Sequence, residues 1–219
     1  MKRILLFCVA ALLAASCNEI PDILYQALLF GNMTAPAVLS ADDGCEYHFN
    51  NVTTDTGLPS EGRVVALFNA VSKIEGTDNK YEAQLVNFTV PLYKEPVLCP
   101  TKDDADSLGL DPIKLVDGYY GGGCLNLVCN AVFGTSATAK HVVNLAVDTS
   151  VASDTLHLSL RHDAQDDKME VNEMDDYTEK SFYASFPMGD LIPSSGEKII
   201  EFSWYWDNKW QKAIKIIKQ

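Results

Sequence analysis

From Met33 onward the chain offers no long run with a helical period. Its apolar stretches are short, and turn residues cut them at regular spacing, which confines the fold to sheets. Ala35–Ser40 and Cys45–Phe49 flank Ala41-Asp42-Asp43-Gly44, and Asp-Gly between two apolar runs is a strong hairpin signal. Leu156, Leu158 and Leu160 alternate with His157, Ser159 and Arg161, the pattern of a half-buried strand.

These runs fall into two groups. Arg63–Ile74 and Tyr81–Tyr93 are long β-rich segments separated by the turn Glu75-Gly76-Thr77-Asp78-Asn79. With the preceding hairpin they supply enough strands for a small barrel or curled sheet. The stretch from Pro91 to Asp111 holds Pro96, Pro100, Asp103, Asp104, Asp106 and Gly109 and reads as the domain boundary. Beyond it come Ile113–Val116, Cys124–Phe133, His141–Val147, Thr155–His162 and Ser181–Phe186. Lys198–Trp206 and Trp210–Ile217 then close a hairpin over Asp207-Asn208-Lys209. Seven short strands of this kind imply a β-sandwich, and the fold class is all-β.

The start of the chain constrains location. Lys2 and Arg3 precede an apolar run from Ile4 to Leu13, about ten residues and too short to cross a hydrocarbon core of roughly 30 Å. Leu13-Ala14-Ala15-Ser16-Cys17 places small residues directly before a cysteine, the pattern of a bacterial lipoprotein signal. Residues 1–16 are then a signal peptide, Cys17 is the lipid attachment point, and residues 17–31 form a lipidated linker with one short helical turn over Asp22–Phe30. Position 18 is Asn rather than Asp, which favours the outer membrane over inner-membrane retention, on either its periplasmic or its cell-surface face.

Composition excludes one class of partner. The chain has 17 basic and 30 acidic residues, a formal charge of −13. Loss of Lys2 and Arg3 with the signal makes the body more acidic still, and nucleic-acid binding needs a basic footprint. Four cysteines outlast the signal and the lipid site: Cys45, Cys99, Cys124 and Cys129. An oxidising compartment permits a Cys45–Cys99 bridge, and four buried free thiols are the equal alternative. Cys124 and Cys129 on one strand would stand about 16 Å apart, beyond disulfide reach.

Several stretches together carry a resemblance: Cys17, the strand pair around Asp42-Asp43-Gly44, Gly123-Cys124-Leu125-Asn126-Leu127, His141-Val142-Val143-Asn144-Leu145, Leu160-Arg161-His162-Asp163-Ala164, and the Lys198–Lys218 hairpin. In their order and spacing the mature chain resembles the NigD-like lipoproteins of the cell envelope. The resemblance implies an OB-like barrel at residues 32–100 followed by an immunoglobulin-like β-sandwich at 108–219. It brings no catalytic residue with it.

The polar members of those stretches, Asn126, His141, Asn144, Arg161 and His162, are the candidates for a ligand site at one end of the sandwich. The competing reading is that they pair with strand ends and loops, because buried polar groups must be paired. Trp204 and Trp206 share a strand face with Phe202 and could stack on a sugar, against a core role for that face. His157 and His162 have opposite parity, and no metal-binding spacing of His or Cys is present. Asp163–Asp176 reads as a solvated acidic loop, with calcium as the lesser reading. Ser195 with Lys198, and Cys124 or Cys129 with His141, are the only nucleophile arrangements, and the first falls in a turn. The expectation is a non-enzymatic envelope lipoprotein without cofactor or metal. Its partners are a membrane, through the lipid, and an envelope protein or a glycan. A glycan-binding accessory protein is the alternative and a hydrolase the lesser one.

Overall fold

The computed structural model describes residues 23–134, 140–150, 154–167, 177–192 and 196–218. The expected signal peptide and Cys17 lie outside them.

Strands β1 (Tyr25–Ala35), β2 (Val38–Ala41), β3 (Glu46–Phe49), β4 (Gly62–Lys73) and β5 (Lys80–Thr89) close a barrel in the order β1-β2-β3-β5-β4. The β3–β5 pair is parallel and the rest are antiparallel, giving a five-stranded barrel of the OB type. Val64, Ala66, Phe68 and Ala70 of β4 alternate into the interior, where they meet Met33, Leu39, Tyr47 and Phe49. The helical turn expected over Asp22–Phe30 is instead the start of β1, which pairs with β4 from Tyr25 to Met33. Apolar residues at 23, 24, 27 and 28 fit a helical face. The same stretch also carries a period-two set, Ala27, Leu29, Gly31 and Met33, and closing the barrel selects that one. The barrel therefore starts at Tyr25 rather than residue 32, and it ends at Thr89 rather than near residue 100.

Among the described residues the second unit has nine strands in two sheets. The short β6 (Leu92–Tyr93) and β7 (Val97–Cys99) precede β8 (Lys114–Gly121), β9 (Cys124–Gly134), β10 (Val142–Asp148) and β11 (Thr155–Asp163). Then come β12 (Tyr177–Pro187), β13 (Glu197–Trp206) and β14 (Lys209–Lys218). A five-stranded sheet runs β14-β13-β11-β10-β7 and a four-stranded sheet β6-β12-β9-β8. Leu125, Leu127, Cys129, Leu145, Leu158, Leu160, Phe186 and Phe202 fill the space between them. The count exceeds seven because β6 and β7 attach in parallel to β12 and β10, and two- or three-residue strands leave no periodic signal. The last hairpin turns at Asp207 and Asn208, both with positive φ, the two-residue geometry that Asp and Asn tolerate. One short helix, α1 (Lys102–Asp106), sits in the β7–β8 connection.

All four cysteines are free thiols: Cys45 belongs to the barrel and Cys99 lies beneath α1, so the Cys45–Cys99 bridge is not made. Burial pushes the Cys129 thiol up to about 12, which keeps it an inert core group.

A buried polar cluster joins barrel to sandwich. Arg63 of β4 and Asp42 of the β2–β3 turn form a two-pronged ion pair, with side chains only 2% and 3% exposed. Arg63 Nε donates to Ser185 Oγ at 2.9 Å and Nη2 to Asn126 Oδ1 at 2.8 Å, both on the outer face of the four-stranded sheet. Asn126 Nδ2 donates to Asp42 Oδ2 at 2.8 Å, and the Tyr119 hydroxyl reaches the same oxygen at 3.3 Å. Burial, with the charge of Asp42, pushes that hydroxyl well above its ordinary range. Phe30 packs edge-on against Tyr119 and Tyr183 beside the cluster. The β8–β9 turn can approach because it is glycine: a Cβ on Gly122, whose φ is +58, would stand 2.1 Å from Asp42 Oδ1.

Breaking a buried, hydrogen-bonded ion pair from one side typically costs about 3–5 kcal/mol, because the surviving charge stays desolvated. Arg63→Ala should therefore destabilise the chain by an amount of that order. Arg63→Met with Asp42→Leu should cost less than Arg63→Ala alone. Urea unfolding curves of the three proteins check both statements.

Candidate functional site

The sequence candidates separate into four places. Asn126 lies on the outer face of the four-stranded sheet and is consumed by the joint just described. Its hydroxyl partner Ser185 is fully buried. Trp204 packs against the sandwich core with Phe202, as strand parity allows, and Trp206 lies under the Lys114 ammonium.

His141 and His162 meet at the far end of the sandwich. His162 Nδ1 donates to the Pro112 carbonyl at 2.9 Å, so its Nε2 accepts from His141 Nδ1 at 2.8 Å. His141 Nε2 stands 2.8 Å from Asp167 Oδ2, and the Gly134 amide donates to the same oxygen at 2.7 Å. Phe133 stacks on His141 with ring centroids 4.0 Å apart. Gly109 lets the chain after α1 press on this end: its φ is +110, and a Cβ there would stand 2.3 Å from the His162 carbonyl oxygen. The expected solvated loop from Asp163 is thus wrong at its start, since Asp167 is 7% exposed and turned inward. The remainder of the loop, residues 168–176, is outside the described residues. Among the described residues no group of His, Cys, Asp and Glu side chains is arranged to hold a metal ion.

The nucleophile candidates do not assemble. Ser195 falls outside the described residues. His141 stacks on Phe133 of β9, and along that strand Cys124 stands nine residues, about 30 Å, from Phe133 and Cys129 four residues, about 13 Å.

Arg161 and Asn144 form a cross-strand pair on the outer face of the five-stranded sheet. Lys94 covers Asn144 and donates to its Oδ1. Arg161 opens into a groove of about 480 Å³ between α1 and the sheet. The helix is seated by Ala105, which packs with Cys99 and Ala146, and is started by Thr101, whose Oγ1 accepts from the Asp104 amide. Its last residue, Asp106, accepts from Arg161 Nη1 at 3.0 Å and from Lys102. Lys102 first, and Arg161 with it, hold that carboxyl below its usual range. Arg161 Nε donates to Ser159 Oγ at 2.9 Å, and the guanidinium lies 4.8 Å from the ring centre of Trp210, which is 46% exposed. On the far wall Glu201 binds Lys212 at 2.6 Å and His157 at 3.2 Å. Lys212 chiefly, then His157, lowers the Glu201 pKa.

This groove is a concave feature with convergent polar groups, the usual character of a binding site. Of the sequence candidates only Arg161 lies in it. Asp106 and Glu201 gave no sequence signal as ligand groups, because β7, α1, β11, β13 and β14 bring them together from across the sandwich.

Comparisons agree with the architecture. Residues 96–216 match the family model described as NigD-like C-terminal beta sandwich domain. No curated protein sequence matches the chain. Three solved structures are similar in fold. A protein of unknown function from Bacteroides vulgatus has 16% identity and a TM-score of 0.67, covering 89% of this chain and 91% of its own. A NigD-like immunity protein from Bacteroides caccae has 18% identity and a TM-score of 0.60, covering 88% and 92%. A candidate lipoprotein from Bacteroides fragilis has 13% identity and a TM-score of 0.60, covering 89% and 97%. At such identities the likeness shows fold alone.

The histidine end of the sandwich sets a pH dependence. Burial, aided by the charge of His141, holds the His162 pKa below its ordinary 6.5 against the opposing hydrogen bond to Pro112. Between those two pKa values the unfolded chain binds a proton that the folded chain does not. The contribution to stability is therefore complete above about pH 6.5 and is lost as pH falls through the folded pKa. Asp167, raised by burial but lowered further by its bonds from His141 and Gly134, ends below 3.8 and adds a second loss of the same sign at lower pH. The urea midpoint should fall between pH 7.5 and pH 5.5, and His162→Gln should flatten that dependence while lowering the midpoint at pH 7.5.

Proposed function

The chain belongs to the NigD-like family, and from that premise we propose that it is a non-enzymatic binding module held at the cell envelope by a lipid on Cys17. The observation that carries the binding reading is the contrast between its polar clusters. Among the described residues every buried side-chain nitrogen and oxygen has a partner, so the clusters around Asn126 and around His141 and His162 are spent on structure. The groove beside Arg161 is lined by polar groups and stays open.

The non-enzymatic reading is supported by the placement of Cys124 and His141 at opposite ends of β9. The anchor is supported by the small residues that lead into Cys17, and by the Bacteroides fragilis structure designated a candidate lipoprotein. The body would then work at the outer membrane on a ligand or partner of the envelope.

Metabolic labelling with a palmitate analogue, followed by membrane fractionation, tests the anchor. Label and membrane retention should both be present in the wild type and both vanish in Cys17→Ala. A Cys17→Ala protein that still sediments with membranes would reject the lipid as the tether. Protease digestion of intact cells then reads which face the body occupies.

A further inference from the structure

Resting on the reading of the chain as an envelope binding module, we propose that the groove between α1 and the five-stranded sheet binds the carboxylate of an acidic sugar, with Arg161 as the recognition residue. Arg161 is 7% exposed, yet only two of its five N–H groups are engaged: Nε on Ser159 and one on Nη1 with Asp106. Nη2 takes no hydrogen bond among the described residues, and no buried polar side-chain atom there lacks a partner, so Nη2 faces the open groove. The guanidinium cannot swing away, because Asp106, Ser159 and the Trp210 ring hold it on three sides. The donors left, both N–H groups of Nη2 and one of Nη1, are held in place for a carboxylate to accept from.

The charged lining is balanced, Lys102, Arg161 and Lys212 against Asp106, Asp148 and Glu201, and Asp106 is shared between Arg161 and Lys102. Selection of a single carboxylate therefore rests on the open Nη2 donors, while a polyanion is repelled by the acidic body, at −13 for the chain. The rest of the lining suits hydroxyl groups. Ser159, Ser203 and Gln211 donate and accept, and Asp148 accepts, while Trp210 gives an apolar edge to a sugar's C–H face. A peptide strand is disfavoured because the floor strand β11 is already paired on both sides, with β10 and β13, and has no main-chain groups to offer.

Trp210 makes the test direct. The full chain in detergent is titrated with a galacturonate tetrasaccharide, with sialyllactose, with the methyl ester of the same galacturonate and with lactose, read by indole fluorescence and calorimetry. At least one acidic sugar should bind, with its carboxyl-capped or neutral counterpart at least tenfold weaker. Arg161→Gln should weaken the acidic sugar at least tenfold, and Trp210→Phe should abolish the fluorescence change while calorimetry still detects the site. Equal binding of acidic and neutral sugars by the wild-type chain overturns the proposal without any need for a variant. Failure of every sugar overturns it too, as does Arg161-dependent binding of an acidic hexapeptide in place of the sugars. None of these outcomes touches membrane retention through Cys17, so failure of the sugar site and failure of the anchored-module reading are distinguishable.

Discussion

The Arg63–Asp42 ion pair is the contact on which the arrangement of the molecule depends. Each charge is removed from water, a cost that is recovered only when every lone pair and N–H around it is met. Asn126 and Ser185 meet them, and both are on the sandwich, so the barrel's own charges are satisfied only when the second unit is docked. Apolar contacts alone, such as Phe30 against Tyr119 and Tyr183, would permit sliding; the fork of Arg63 on Asp42 and two further acceptors does not. Gly121 and Gly122 belong to the same device, because a Cβ on Gly121 would stand 3.0 Å from Asp42 Cβ and at Gly122 a side chain would occupy the space of the Asp42 carboxylate.

That docking decides where a ligand can approach. The barrel seals the outer face of the four-stranded sheet around Asn126, and the two inner faces form the core. The outer face of the five-stranded sheet is what remains, and it is divided. Lys94 closes it over Asn144, while α1 covers Ala146 and stops short of Arg161. A five-residue helix is far below the length at which helices stand alone in water, so α1 exists by packing and capping. Thr101 caps its start, Ala105 packs on Cys99 and Ala146, and Asp106 ties its end to the sheet through Arg161. The groove is thus a consequence of how little a short helix can cover.

The strands were legible because alternation is local: Leu156, Leu158 and Leu160 announce a buried face without reference to any other part of the chain. The hairpins at Asp43-Gly44 and Asp207-Asn208 were legible for the same reason, since positive φ favours particular residue types. Ile23 to Phe30 misled because its apolar spacing satisfies two periods, and only barrel closure with β4 chooses between them. The joint was not legible. Arg63 is simply the first residue of an apolar run and Asp42 a turn residue; their 21-residue separation carries no signal until the barrel closes. The same holds for Asp167, which reads as one acid among many and is singled out only by the nearness of His141.

Arg63 and Arg161 are the two buried arginines among the described residues, and comparing them separates structure from function. Both are held by an aspartate and a serine, and both lie beside an aromatic ring. At Arg63 the Asn126 acceptor and the second prong on Asp42 use the donors of Nη2, and the residue is finished as a tie between domains. At Arg161 nothing takes the place of that asparagine, because the neighbouring Asn144 is turned to Lys94 instead. A chain that buries an arginine bears its desolvation whether or not the fork is filled. The open fork beside the groove is what the proposed carboxylate site rests on, whereas the filled fork is a structural one.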